Sequence, residues 1–149
     1  MATDDLVEVA GTTLTLEANG GATTAGSFTQ ANDDTVATAD DAGFPFMRLV
    51  LECTFGTAPT AGTPINIHKR ALNIIDTTDD ETTPASGVYG SRIYSFHVAN
   101  TTSAQRWVSD PVPRNSTHEL ELYIENGTNQ TISAGWKLTA TPITYGPSA

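Results

Sequence analysis

The chain has 149 residues, 17 acids against 7 lysines and arginines, a net charge of −10 and a single cysteine. That length suits one domain with a full core. The charge repels polyanions, so no nucleic-acid partner is expected. A lone cysteine closes no internal disulfide, and no apolar run approaches the ~18 residues of a membrane span.

Hydrophobic residues make up only 38% of the chain, and threonine is abundant. That composition suits half-wet strands better than a thick helical core. The opening "MATDDLVEVAG" has neither the basic start nor the apolar stretch of a secretory signal. Residues 1–47 hold eight acids and no base, whereas residues 48–149 hold nine acids and seven bases. Residues 1–43 are therefore expected to form an acidic N-terminal segment or arm with short strands, ordered by a sister subunit or a basic surface. Residues 44–149 are expected to form the body.

In chain order, Leu14, Leu16 and Ala18 alternate with Thr13, Thr15 and Glu17, a short strand that Asn19-Gly20-Gly21 stops. If it belongs to the body, it is an edge strand. Residues 19–43 are small and polar apart from Phe28 and Val36. "FPFMRLVLECTFG" is a strong strand, with Met47, Leu49, Leu51, Cys53 and Phe55 on one face. Gly56 to Pro64 is breaker-rich and reads as a loop. In "PINIHKRALNII", Ile65 and Ile67 have one parity, Leu72 and Ile74 the other. A bulge near Lys69–Ala71, or a strand passing between sheets, would bury both sets. Asp76 to Gly87 reads as a polar acidic loop. "SRIYSFHVAN" places Tyr94, Phe96 and Val98 inward. Pro111 and Pro113 put the end of "AQRWVSDPVP" at a sheet edge.

The strongest pattern is Glu119 to Ile143. Leu120, Leu122 and Ile124 alternate with Glu119, Glu121, Tyr123 and Glu125. Asn126 to Gln130 forms a turn carrying the Asn-Gly hairpin signal. Ile132, Ala134, Trp136, Leu138 and Ala140 then share one face, and Pro142 ends the run. This predicts a hairpin, dry on one side and wet on the other. No segment has helical spacing. About eight strands separated by turns give an all-β antiparallel β-sandwich, with a jelly roll as the commonest alternative wiring.

Chemistry is sparse. His68, His97 and His118 are separated by 29 and 21 residues, unlike the close pairs of zinc sites, and read as surface histidines. Asp33-Asp34, Asp40-Asp41 and Asp76 with Asp79, Asp80 and Glu81 are oxygen-rich, but no calcium-loop pattern surrounds them. Glu119, Glu121 and Glu125 read as one solvated face. Trp107, Trp136 and Tyr123 raise sugar stacking, with Trp136 on a dry face and Tyr123 on a wet one. Cys53 reads as a small buried hydrophobe. Sequons begin at Asn100, Asn115, Asn126 and Asn129, and chance accounts for them in a chain so rich in Asn and Thr. No catalytic, cofactor-binding or metal residues are assigned, no cofactor is expected, and the chain is not expected to be an enzyme.

Two stretches, "FPFMRLVLECTFGTAPTAGTPINIHKRALNI" and "VPRNSTHELELYIENGTNQTISAGWKLTATP", resemble small proteins of tailed-bacteriophage structural modules, with Ile132 where leucine is expected. The resemblance covers about two-thirds of the chain and leaves out the acidic first third. It implies a capsid decoration, or cement, protein: a β-sandwich on the capsid exterior of the virion, made in the bacterial host cytoplasm. The implied partner is the major capsid protein, and the implied assembly a homo-oligomer, a trimer being favoured. The alternative is a phage tail or fibre binding module, a carbohydrate-binding one among them.

Overall fold

A computed structural model describes residues 6–36, 44–75, 80–86, 91–114 and 118–147. Every regular element among them is a strand: β1 (Leu6–Ala10), β2 (Leu14–Gly20), β3 (Phe28–Gln30), β4 (Phe46–Cys53), β5 (Pro64–Leu72), β6 (Ser91–His97), β7 (Gln105–Val108), β8 (Val112–Pro113), β9 (Glu119–Asn126) and β10 (Trp136–Pro147). They form two antiparallel sheets packed into a sandwich, as the alternating patterns predict.

In the first sheet β10 is central. β1 and β2 follow one another along one flank, β4 lies on the other, and β7 and β8 lie beyond β4. The second sheet runs β3-β9-β5-β6. Ten strands thus occupy eight places, and the chain passes from sheet to sheet in the order of a jelly roll. The core lies between the sheets, where β4 contributes Met47, Leu49, Leu51 and Cys53 and leaves Phe46, Arg48, Val50 and Glu52 half-buried on the outer face. Leu49, Leu51, Ile65, Ile67, Leu120, Ile124 and Leu138 are fully buried. Each such side chain contributes about 1.5–3 kcal/mol.

The expected hairpin does not form. β9 pairs with β3 and β5, β10 with β1, β2 and β4, and residues 127–135 cross from one sheet to the other. Alternation specifies which face of each strand is dry, and both dry faces point into the same core from opposite sheets. Pro142 does not end β10 either; the strand continues to Pro147, with Pro142 paired to Met47. Proline is tolerated there because its missing N–H would point to the gap between β2 and β1, where its carbonyl accepts Gly11 N–H at 2.8 Å.

The parity conflict in β5 is resolved without a bulge in that strand. β5 keeps one register against β9 from Ile65 to Leu72, and the shift falls in β6, at Ile93. Ile65, Ile67 and Ala71 reach the core, while Leu72 stays half-buried and Ile74 and Ile75 are exposed. In β2, two register shifts against β10 reverse the expected phase, so Leu16 and Glu17 are both buried and Ala18 is exposed. Glu17 is held there because its carboxylate accepts the N–H groups of Asn19 and Asn32. The described part of the segment expected as an arm lies within the sheets: β1 and β2 flank β10, and β3 flanks β9.

Candidate functional site

Four connections meet at one end of the sandwich: residues 21–27, 54–63, 98–104 and 127–135. Asn126, at the end of β9, organises them. It is fully buried; its amide donates to the carbonyls of Thr23 and Gln130, and its Oδ1 accepts the Thr128 N–H and hydroxyl. Thr23 and Ile132 bridge back to back, and Ser133 N–H donates to Thr54. Thr60 N–H donates to Asn129 Oδ1 at 2.8 Å, Asn100 donates to the Pro59 carbonyl at 2.7 Å, and Gly62 N–H reaches Val98. Gly127 lies against Pro64, where an added Cβ would sit 2.8 Å from the Pro64 carbonyl oxygen. The Asn-Gly pair therefore serves a crossover corner, with Asn supplying four bonds and Gly the close approach, rather than a hairpin turn.

None of these four connections contains an Asp, Glu, Lys, Arg or His, although the chain carries 24 charged side chains. Most of their residues are exposed Thr, Ala, Gly, Ser and Asn. Among the described residues, the connections at the opposite end carry Asp33 and Asp34 after β3 and Asp80 and Glu81 after β5. One end of the sandwich thus has uncharged, cross-tied loops, and the other has acids in its described loops. Along the chain this polarity is hidden, because residues 1–47 and residues 48–149 each contribute loops to both ends. The available signal was four uncharged stretches of mostly small residues, three of them containing glycine, which jelly-roll wiring brings together.

The acids expected as solvated loops hold backbone instead. Asp33 accepts Ala18 N–H, Asp34 accepts Thr35 N–H, and Glu81 accepts Ala71 N–H. Asp80 pairs with Arg70 at 3.0 Å and accepts Asn73 N–H. Asp40, Asp41, Asp76 and Asp79 lie outside the described residues, as does Asn115. Among the described residues no three His, Cys, Asp or Glu side chains are grouped to hold a metal.

The outer face of the second sheet corrects three expectations. His68 is not a surface histidine; it is buried beneath Phe28, with ring centroids 5.1 Å apart, and its Nε2 lies 2.8 Å from Glu125. Asn66 donates to the same carboxylate oxygen. Burial raises the Glu125 pKa, but hydrogen bonds from His68 and Asn66 outweigh it and leave the group below its usual value. Glu121 and Tyr123 are buried as well, not a wet face. The tyrosine hydroxyl donates to Glu121, Gln30 donates to the other carboxylate oxygen, and Arg70 lies over both. Burial is the largest cause raising the Tyr123 pKa, followed by its bond to Glu121. Arg70 also bonds Asp80, the Glu81 carbonyl and Thr83, so residues 80–83 cover this layer. His97 is exposed and His118 half-buried.

Trp136 and Tyr123 are 1% and 4% exposed, so neither offers a ring face for sugar stacking. Trp107 is partly buried and stacks on Phe96 at 5.9 Å. Cys53 is buried, and burial pushes its pKa up to about 12. With Glu52, Thr54, Ala104, Gly135 and Lys137 it lines a shallow pocket of about 170 Å³, below the ~300–1,000 Å³ of ordinary ligand sites.

A scan against protein-family models finds no match, and a search of curated proteins finds none.

Proposed function

We propose that this chain is a structural virion protein that binds the outside of a phage capsid through its neutral loop end and stabilises or decorates the shell. The observation that supports this reading is the charge polarity of the sandwich. A protein of net charge −10 keeps the four loops of one end free of charged residues and ties them together there with side-chain and backbone bonds. Docking on those loops strips no charged loop residue of water. It also loses little loop entropy, because the loops are fixed beforehand. The end with acidic loops then points to solvent and keeps decorated particles apart. The two stretches that resemble phage structural proteins supply two of the four connections, residues 54–63 and 127–135, and these touch through Thr60 and Asn129. Weak docking by one copy is multiplied when copies are linked, so a trimer seated at three-fold positions suits this reading.

The reading is tested on the source phage. The protein should be present in purified virions, and its absence from them ends the proposal. Adding purified protein to heads that lack it, followed by sedimentation, measures docking directly. Ala61→Glu with Ala134→Glu puts two charges on exposed positions of the neutral end and should abolish co-sedimentation. Thr82→Lys, at the opposite end, should leave it intact. The reverse pattern would move the docking face to the acidic end.

A further inference from the structure

The sheet edges of this protein are managed unequally. β6 carries the register shift at Ile93 and an exposed Arg92. β3 has three residues, and β8 two, one of them proline. The outer edge of β2 is covered: Asp33 and Asp34 N–H groups donate to the Leu16 carbonyl, and Ala18 N–H donates to Asp33. Bulges, charges, prolines and covering segments are the usual guards of an edge. Among the described residues β1 has no bulge, proline or covering segment, and its one charge, Glu8, is already paired with Arg48. It pairs with β10 in unbroken register over five residues, and Val7, Glu8, Val9 and Ala10 are all exposed.

Its hydrogen-bonding direction can be read from Gly11, whose N–H donates to Pro142, the next pair in the β1–β10 register. Bonded pairs alternate in an antiparallel ladder. Val9 and Val7 therefore turn their N–H and C=O groups toward β10, and Ala10, Glu8 and Leu6 turn theirs to the open edge. Two copies of β1 related by a two-fold axis through Glu8 would pair Glu8 with Glu8, Val7 with Val9 and Leu6 with Ala10. The three outward-facing residues all fall in bonded rows. The valines fall in the non-bonded rows, where facing side chains come closest.

The two opposed glutamates would forbid this if they were free. They are not: Arg48 grips the Glu8 carboxylate through Nε at 2.8 Å and Nη2 at 2.6 Å. Each glutamate arrives with its own counter-charge, so the central row reads Arg, Glu, Glu, Arg across the two copies. A basic strand would find no unpaired anion on β1. We propose that β1 is a homotypic docking strand, by which a second copy of this chain extends the first sheet across a two-fold axis centred on Glu8. This contact stands apart from the capsid reading and does not use the neutral loop end.

Sedimentation velocity of the full chain over a concentration series, at low and high salt, is the first test. The expected result is a dimer that strengthens with salt, because two copies of charge −10 repel less when screened. Val7→Lys with Val9→Lys should weaken dimerisation at least tenfold while the circular dichroism and melting temperature of the monomer stay put. In a second test Glu8→Cys should cross-link to its mate under mild oxidation, since bonded pairs hold Cα atoms about 5.5 Å apart. Val108→Cys, exposed on β7, should not. A monomer at every concentration in high salt overturns the proposal. So does association that the lysine pair leaves undiminished, or a Glu8→Cys protein that gives no cross-link.

Discussion

Gly20 is the last residue of β2 and faces Trp136 across the sheet. A Cβ at Gly20 would lie 1.9 Å from Trp136 Cε2 and 2.3 Å from Nε1. Trp136 is fully buried, and its indole N–H donates to the Gly21 carbonyl at 2.8 Å, so the ring has little room to retreat. Gly20→Ala therefore sets two effects against each other. Strand propensity alone favours alanine by roughly 0.5–1 kcal/mol. Overpacking costs about 1–3 kcal/mol, and a displaced indole loses a hydrogen bond worth about 1 kcal/mol. Packing wins, and the net loss is on the order of 1–3 kcal/mol. At roughly 2–4 °C per kcal/mol for a chain near this size, the melting temperature should fall by about 2–12 °C. Thermal unfolding followed by circular dichroism, with urea unfolding as a check on the slope, measures it. The companion Trp136→Ala removes the whole ring that the added Cβ meets, so Gly20→Ala should cost much less in that background. A melting temperature unchanged or raised by Gly20→Ala refutes the packing argument and leaves propensity in charge.

Asn126→Ala removes four bonds and leaves the buried Thr128 N–H without its acceptor, while the Thr23 carbonyl keeps Ile132 N–H and the Gln130 carbonyl keeps the Thr128 hydroxyl; it should cost about 2–4 kcal/mol in urea unfolding, and a loss under about 1 kcal/mol would mean that water replaces the amide. Glu125, whose pKa is lowered in the fold, contributes stability that is present above the ordinary carboxylate pKa and lost as pH falls through the lowered value. Glu125→Gln should flatten the acid limb of the stability–pH curve below about pH 5; an unchanged acid limb would assign that slope to other carboxylates. Cys53, buried with its thiol pKa near 12, should resist a thiol reagent in the native protein and react fully in urea. Stoichiometric labelling of native protein within minutes would show that the core around β4 opens.

Much of the architecture follows from alternation alone. Met47, Leu49, Leu51 and Cys53 on one face of β4, and Leu120, Leu122 and Ile124 on one face of β9, fix which side of each strand meets the core. Period-two patterning carries that information in any pairing. The pattern does not say which strand lies beside which. β9 and β10 looked like a hairpin because a crossover between facing sheets demands the same dry faces and a corner of the same residue types. Pro142 looked like a strand end because only the tertiary structure reveals that its flank of β10 passes from β2 to β1 at that residue. Glu121, Tyr123 and His68 looked wet because an outward parity normally meets solvent. Arg70 and residues 80–83 close over Glu121 and Tyr123, and Phe28 lies on His68. The neutral end is of the same kind. Residues 54–63 read as a loop along the chain, whereas Val98 and Ile132 to Ala134 read as strand residues, and the four connections become one surface only because jelly-roll wiring sends alternate connections to the same end of the sandwich. Local chemistry is written along the chain, whereas adjacency between distant segments is decided by how two sheets share one core.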